Sequence, residues 1–175
     1  TPAQGVNCIS GGASSVIFSE EFDNNNAGWT GDIGSSNGDW EIPDGSTSSG
    51  TGADNAYSGA NYMNFEGSST STIKGEIVSP AIDLTGGADE AELSFWMHAF
   101  GSDMGTLDVN VGFSQGGPFT TLFTSKGEIQ TAGNDNWVNV GVDLTAYLGQ
   151  TIYIQLSYTD DQGGFQDDMS IDLFE

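Results

Sequence analysis

A chain of 175 residues that sets 25 acidic side chains against two lysines and no arginine carries a formal net charge of -23. Nucleic acid and anionic membrane both need a basic surface to neutralise phosphate, so this balance excludes them as partners and favours multivalent cations. Only 15% of residues are charged and Gly, Ser, Thr and Asn fill much of the rest, so the chain is expected to fold rather than to stay an acidic disordered tail.

The length suits one domain. Residues 1–15 precede the first apolar period and read as an N-terminal extension, either a linker or an arm that adds a strand to a neighbouring copy. They lack the charged start and apolar run of a signal peptide, and no stretch reaches the length of a membrane span, so we expect no membrane insertion and a mature soluble chain from which any export signal has been removed. Cys8, in "VNCIS", is the sole cysteine, so it is either an inert thiol or a link between two copies.

From residue 16 onward, apolar residues recur with period two and no long window keeps a helical period. The predicted strands are "VIFSEEF" (16–22), "NYMNFEG" (61–67), "IKGEIVSPAIDL" (73–84), "AELSFWMHAF" (91–100), "TLDVNVGFS" (106–114), "FTTLFTS" (119–125), "WVNVGVDL" (137–144), "TIYIQLSY" (151–158) and "MSIDLF" (169–174). Turn signals such as "SQGGP", "AGND" and "TDDQGG" separate them. Short strands without helical crossovers predict an all-β antiparallel sandwich or jelly roll. Residues 31–60 interrupt the rhythm as a long polar loop, a length that usually signals function or a bound ligand. "DLTAYLGQ" has room for one helical turn, which Gly149 would end.

Alternation assigns faces. In "LSFWMHAFG" it sends Leu93, Phe95, Met97 and Ala99 one way and Ser94, Trp96, His98 and Phe100 the other, and both sets are largely apolar. The second face must therefore be covered or serve as a platform. The same rule turns Val109, Val111, Val138, Val140, Val142, Ile152, Ile154 and Leu156 inward, and leaves Asn64, Asn110, Tyr153 and Gln155 outward. If these strands are neighbours, Trp96, His98 and Tyr153 stand among Asn110, Gln155 and Asn64, an arrangement suited to stacking a sugar ring while amides bond its hydroxyls. The competing reading is that the loop 31–60 folds over this face and that His98 is structural.

The acids lack a catalytic signature. Glycosidases need two facing carboxylates, and nothing in the spacing selects a pair; no nucleophile motif of serine or cysteine type appears either. Calcium is a better account of some of them, because it takes six to eight oxygens from carboxylates, amides and carbonyls. Glu20 and Asp172 are the hardest to leave as solvated surface, since both sit inside apolar strands.

The ordered pieces "VIFSEEFDNNNAGWTG", "GDWEI", "NYMNFEG", "IVSPAIDLTGGADEAELSFWMHAFG", "NDNWVNVGVDLTAYLGQTIYIQLSY" and "DDMSIDLF" resemble the MAM domain and its bacterial relative, the cleaved-adhesin or choice-of-anchor J domain, over residues 16–175. The resemblance implies a jelly-roll (concanavalin-like) sandwich of two antiparallel sheets, an extracellular or cell-surface location, a non-catalytic adhesion role and structural calcium. The family's acidic positions fall on Glu20, Asp23 and Asp172; to these we add Asp168. Animal members carry cysteine pairs that are absent here, so the chain resembles the bacterial branch. The expected function is a calcium-stabilised module binding glycan or a surface protein through Trp96, His98, Asn110, Tyr153 and Gln155. The alternatives are a filament subunit that self-associates through residues 1–15 and, behind it, a jelly-roll glycan hydrolase.

Overall fold

Period-two patterning becomes two antiparallel sheets in the computed structural model, which describes residues 15–24, 26, 28–43, 47, 50–68 and 71–175. Cys8 and all of the 1–15 extension except Ser15 lie outside the described residues. The strands are β1 (Thr30–Gly31), β2 (Trp40–Glu41), β3 (Met63–Phe65), β4 (Ile73–Val78), β5 (Ile82–Asp83), β6 (Glu92–Ala99), β7 (Thr106–Gly112), β8 (Phe119–Lys126), β9 (Val138–Asp143), β10 (Thr151–Asp160) and β11 (Met169–Asp172). One sheet runs β1-β4-β10-β7-β8, with β5 also paired to β10; the other runs β2-β3-β11-β6-β9. The fold is the expected all-β sandwich.

Register explains the core. Trp40, Phe65, Met169 and Ala99 follow one another across the second sheet, and the next inward row is Met63, Ile171, Met97 and Val138. Opposite them, Ile77, Leu156 and Val109 line up across the first sheet beside Ile154 and Val111. These side chains form one contiguous buried cluster. The inward set read from alternation lies in it, with Val138 packed against its margin.

Three local expectations are corrected. The segment 16–22 is not a strand: it makes one bridge, in which Glu20 and Phe174 exchange backbone hydrogen bonds of 2.9 Å in both directions. Phe22 then adopts φ 58°, a left-handed conformation that ends pairing and turns its ring onto Trp29. The loop 31–60 holds two short strands, since Gly31 and β2 lie within it. Gly31 is required at its sheet edge, because a Cβ there would stand 2.2 Å from the carbonyl oxygen of Glu76. Finally, the predicted 73–84 strand breaks at Ser79–Pro80 into β4 and β5. Proline has no N–H for the ladder, and the Ser79 hydroxyl accepts the Ile154 N–H at 2.9 Å instead. The helical turn appears as a 3-10 turn over Thr145–Tyr147, and Gly149 follows it at φ 78°.

Candidate binding cleft and acidic site

The outer face of the β2-β3-β11-β6-β9 sheet is where polar and aromatic residues converge. Parity places His98 beside Ser170 and Asn64, and Trp96 between Asp172 and Asn139. The chain segment 50–60 folds over this face. Gly52 N–H donates to the Phe100 carbonyl, Asp54 N–H to the Gly133 carbonyl and the buried Tyr62 hydroxyl to the Ala53 carbonyl. The two loops approach so closely that a Cβ on Gly133 would sit 2.4 Å from an Asp54 carboxylate oxygen. Gln130 fastens the second loop to β6: its side-chain oxygen accepts from Ala99 N–H at 2.8 Å and its amide donates to the Asn136 carbonyl.

Between these loops lies a cleft of about 570 Å³ lined by Tyr57, Trp96, Trp137, Asn55, Asn134 and Asp135, among others. Tyr57 stacks on Trp96 with ring centroids 3.8 Å apart and planes 13° from parallel, and Tyr57 remains 42% exposed. Trp137 donates its indole N–H to the Asn55 carbonyl and meets Tyr62 edge-on at 5.7 Å. Asp135 is held ionised by the Thr131 and Ala132 N–H groups and the Thr131 hydroxyl, which pull its pKa below the usual carboxylate value. His98 lies beneath Trp137, fully buried, with neither ring nitrogen in a hydrogen bond of normal geometry. Burial lowers its pKa, against the opposing pull of Asp135 and Asp54.

The residues expected to bind ligand do not form one site. Trp96 and His98 lie on β6, whereas Asn110 on β7 and Tyr153 and Gln155 on β10 belong to the other sheet and face outward on the opposite side of the sandwich. Alternation gives a residue's face but not its sheet, and the assumed neighbourhood of these strands fails on that point. Asn110 and Gln155 are buried and bond each other at 2.9 Å. The face of Trp96 toward Tyr57 is taken, and Tyr57 and Trp137 offer the accessible rings. Both were missed as ligand contacts: Tyr57 lies in a loop without a period, and period two counts Trp137 as the first residue of the strand 137–144, whereas the strand begins at Val138 and Trp137 stands in the loop before it.

The acidic residues form two groups. At the C-terminal end of β11, Asp172 is buried and accepts N–H groups from Ser58 and Leu173. Burial, with a smaller push from the charge of Asp23, raises its pKa to about 6 against the lowering effect of the N–H groups it accepts. Asp23 accepts from Ala60 and Asn61 N–H, while Glu21 accepts from the Ser58 hydroxyl. Glu20 accepts from Phe22 N–H, and a hollow of about 380 Å³ is lined by Ser19, Glu20, Glu21, Asp23 and Asn24. Asp168 does not join this group. It precedes β11 at the other end, accepts the Thr51 hydroxyl at 2.6 Å and sits near Asp167.

These features define a jelly-roll β-sandwich with loops forming a cleft on one sheet. The chain belongs to the MAM domain family (meprin/A5/mu), whose model matches residues 21–173. No curated protein is significantly similar in sequence. In structure, the chain resembles the K1 cleaved adhesin domain of Lys-gingipain from Porphyromonas gingivalis W83, with TM-score 0.62, 20% identity, and coverage of 91% of this chain and 96% of that one. It also resembles CBM27-1 of Caldicellulosiruptor saccharolyticus, solved in complex with mannohexaose, with TM-score 0.58, 10% identity and coverage of 92% and 96%. A Stig cyclase from Fischerella sp. TAU gives TM-score 0.54, 14% identity and coverage of 93% and 91%, so enzymes share this fold.

Proposed function

We propose that this chain is an extracellular adhesion module that binds neutral glycan in the cleft between Tyr57 and Trp137. The observation that carries the reading is the cleft's lining of aromatic rings and asparagine side chains with no basic residue. Rings stack on the apolar faces of sugars while amides bond the hydroxyls. Sulfated or carboxylated polymers would meet repulsion from the net charge of -23. Kinship in fold with a mannohexaose-binding module supports the same substrate class. Among the described lining residues Asp135 is the sole carboxylate, whereas glycoside hydrolysis needs two, which favours binding over cleavage.

Among the described residues no three His, Cys, Asp or Glu side chains are grouped so as to hold a metal ion; calcium at the Glu20, Asp23 and Asp172 group is our proposal from its chemistry. Its donors are all oxygens, Asp172 is buried beside like charge, and both lysines are paired elsewhere, Lys74 with Glu76 and Lys126 with Asp161. A bound cation there would neutralise the carboxylates and fix the segment 57–61 that they hold. That segment carries Tyr57, so the acidic site props one wall of the cleft. Asp168 lies too far along the strand to contribute to it.

Affinity electrophoresis in neutral polysaccharides, mannan and xylan among them, tests the reading. The wild-type chain should be retarded by at least one of them, and Tyr57→Ala with Trp137→Ala should migrate freely. Retardation that survives both substitutions would move the site elsewhere.

Self-assembly through the N-terminal extension is a second reading, favoured by Val16 and Ile17, which follow the extension and are each 61% exposed. Removing residues 1–15 should then reduce particle size in light scattering; an unchanged size would leave the extension a linker.

A further inference from the structure

We propose that the cleft contains a subsite for a protonated amino sugar, whose ring stacks on Trp137 or Tyr57 while its ammonium group meets the Asp135 carboxylate. The inference rests on the reading of the cleft as a glycan site and names the sugar unit that binds there most tightly. Neutral sugars still bind; a free amino group adds to what the rings and amides supply.

Asp135 lines the cleft two residues before Trp137 and is half-buried. Its three loop hydrogen bonds, from Thr131 N–H, the Thr131 hydroxyl and Ala132 N–H, all end on Oδ2, so Oδ1 accepts none of them. Those bonds keep the carboxylate ionised and fix it in place before a ligand arrives. The other loop brings a second negative charge, because Asp54 donates its N–H to the Gly133 carbonyl and its carboxylate lies against Gly133 in the lining. No cation of the chain answers these two acids. Burial keeps His98, beneath Trp137, neutral. The sequence has no arginine, and its two lysines are ion-paired on the other sheet, Lys74 with Glu76 and Lys126 with Asp161.

The rings favour the same sign of charge. An aromatic face is the negative side of the ring and attracts an ammonium group, and Tyr57 stays 42% exposed while it stacks on Trp96. A sugar hydroxyl both donates and accepts, so the asparagine side chains of the lining serve it well. An ammonium group only donates, so it gains most from an ionised carboxylate, where the hydrogen bond is charge-assisted. A carboxylate or sulfate group in the same position would be repelled by Asp135 and Asp54. The subsite therefore sorts sugars of one shape by the charge they carry.

The test uses three tetrasaccharides with one β-1,4 backbone that differ only in the group on carbon 2: glucose, with a hydroxyl; N-acetylglucosamine, with a neutral amide; and glucosamine, with an ammonium group. Isothermal titration calorimetry on the full chain, in one mildly acidic buffer that keeps the amine protonated, gives Kd for each with wild type, Asp135→Asn and Asp89→Asn. Asp89 is exposed in the connection between β5 and β6, so its substitution removes the same charge outside the cleft. Wild type and Asp89→Asn should bind glucosamine roughly tenfold more tightly than the two neutral sugars, and Asp135→Asn should lose that advantage. The ratio of Kd values is read, so a general loosening of the loop in Asp135→Asn cancels. Glucosamine bound no more tightly than glucose by wild type, an advantage that survives Asp135→Asn, or one that Asp89→Asn removes equally, overturns the subsite and leaves the glycan reading in place. Displacement of the glucosamine oligomer by an equal concentration of Nα-acetyl-lysine amide would assign Asp135 to a protein amine and overturns it too. Absence of all glucosamine binding also overturns it, and retardation of the chain in mannan or xylan then decides the glycan reading separately.

Discussion

His98 shows how burial converts one side chain into a pH dependence. Its pKa is lowered, so the folded state resists protonation; the neutral ring's stability is intact above the unfolded value of about 6.5 and is lost as pH falls below it. The charges facing it are Asp135 and Asp54, with Trp137 above and Ser170 beside it. Denaturant unfolding from pH 7.5 to 5 should therefore show wild type losing stability relative to His98→Gln, whereas parallel curves would contradict a buried neutral ring. The sequence did show at this scale that Trp96 and His98 share a face opposite Phe95 and Met97, because period two is a property of the backbone. It did not show that Tyr57 would close over Trp96, since that contact joins residues 39 positions apart through an aperiodic loop.

At the level of elements, length governed legibility. Strands of six residues or more, such as β6, β7 and β10, repeat their apolar positions often enough to be read. β1 and β2 have two residues each and no period, so only the buried Trp40 hinted at them. Sheet membership was equally hidden, because pairing partners lie far apart in sequence; this is why Tyr153 and Trp96 were expected together and are found on opposite sides. Phe95 is central to the β6 row and fully buried, so Phe95→Ala should destabilise by about 3–5 kcal/mol in denaturant unfolding. Gly133→Val should force the two cleft loops apart and weaken glycan retention while leaving the unfolding midpoint nearly unchanged, since Gly133 meets loop atoms and not core.

For the whole molecule, the charge of -23 is organised rather than uniform. Acids gather at both ends of β11, one group beside the cleft and one inside the sandwich. A cation bound only by the folded state raises its stability by about 2.7 kcal/mol at a hundredfold excess over Kd, or roughly 5–10 °C for a domain of this size. Thermal unfolding in calcium and in EDTA should differ by that order, and Glu20→Gln/Asp172→Asn should shrink the difference. The same variant should weaken glycan binding, because Asp172 holds the Ser58 N–H, next to Tyr57 in the cleft wall.

Tryptophan fluorescence tests the glycan claim most directly. Trp29 and Trp40 are buried in the core, while Trp96 and Trp137 line the cleft, so a change on ligand addition reports the cleft. Titration with soluble neutral oligosaccharides of mannose, xylose and glucose in excess calcium should produce a saturable shift with at least one of them, abolished in Trp137→Ala. A flat response to all three, from a chain that unfolds cooperatively, would contradict the assignment of the cleft to neutral glycan.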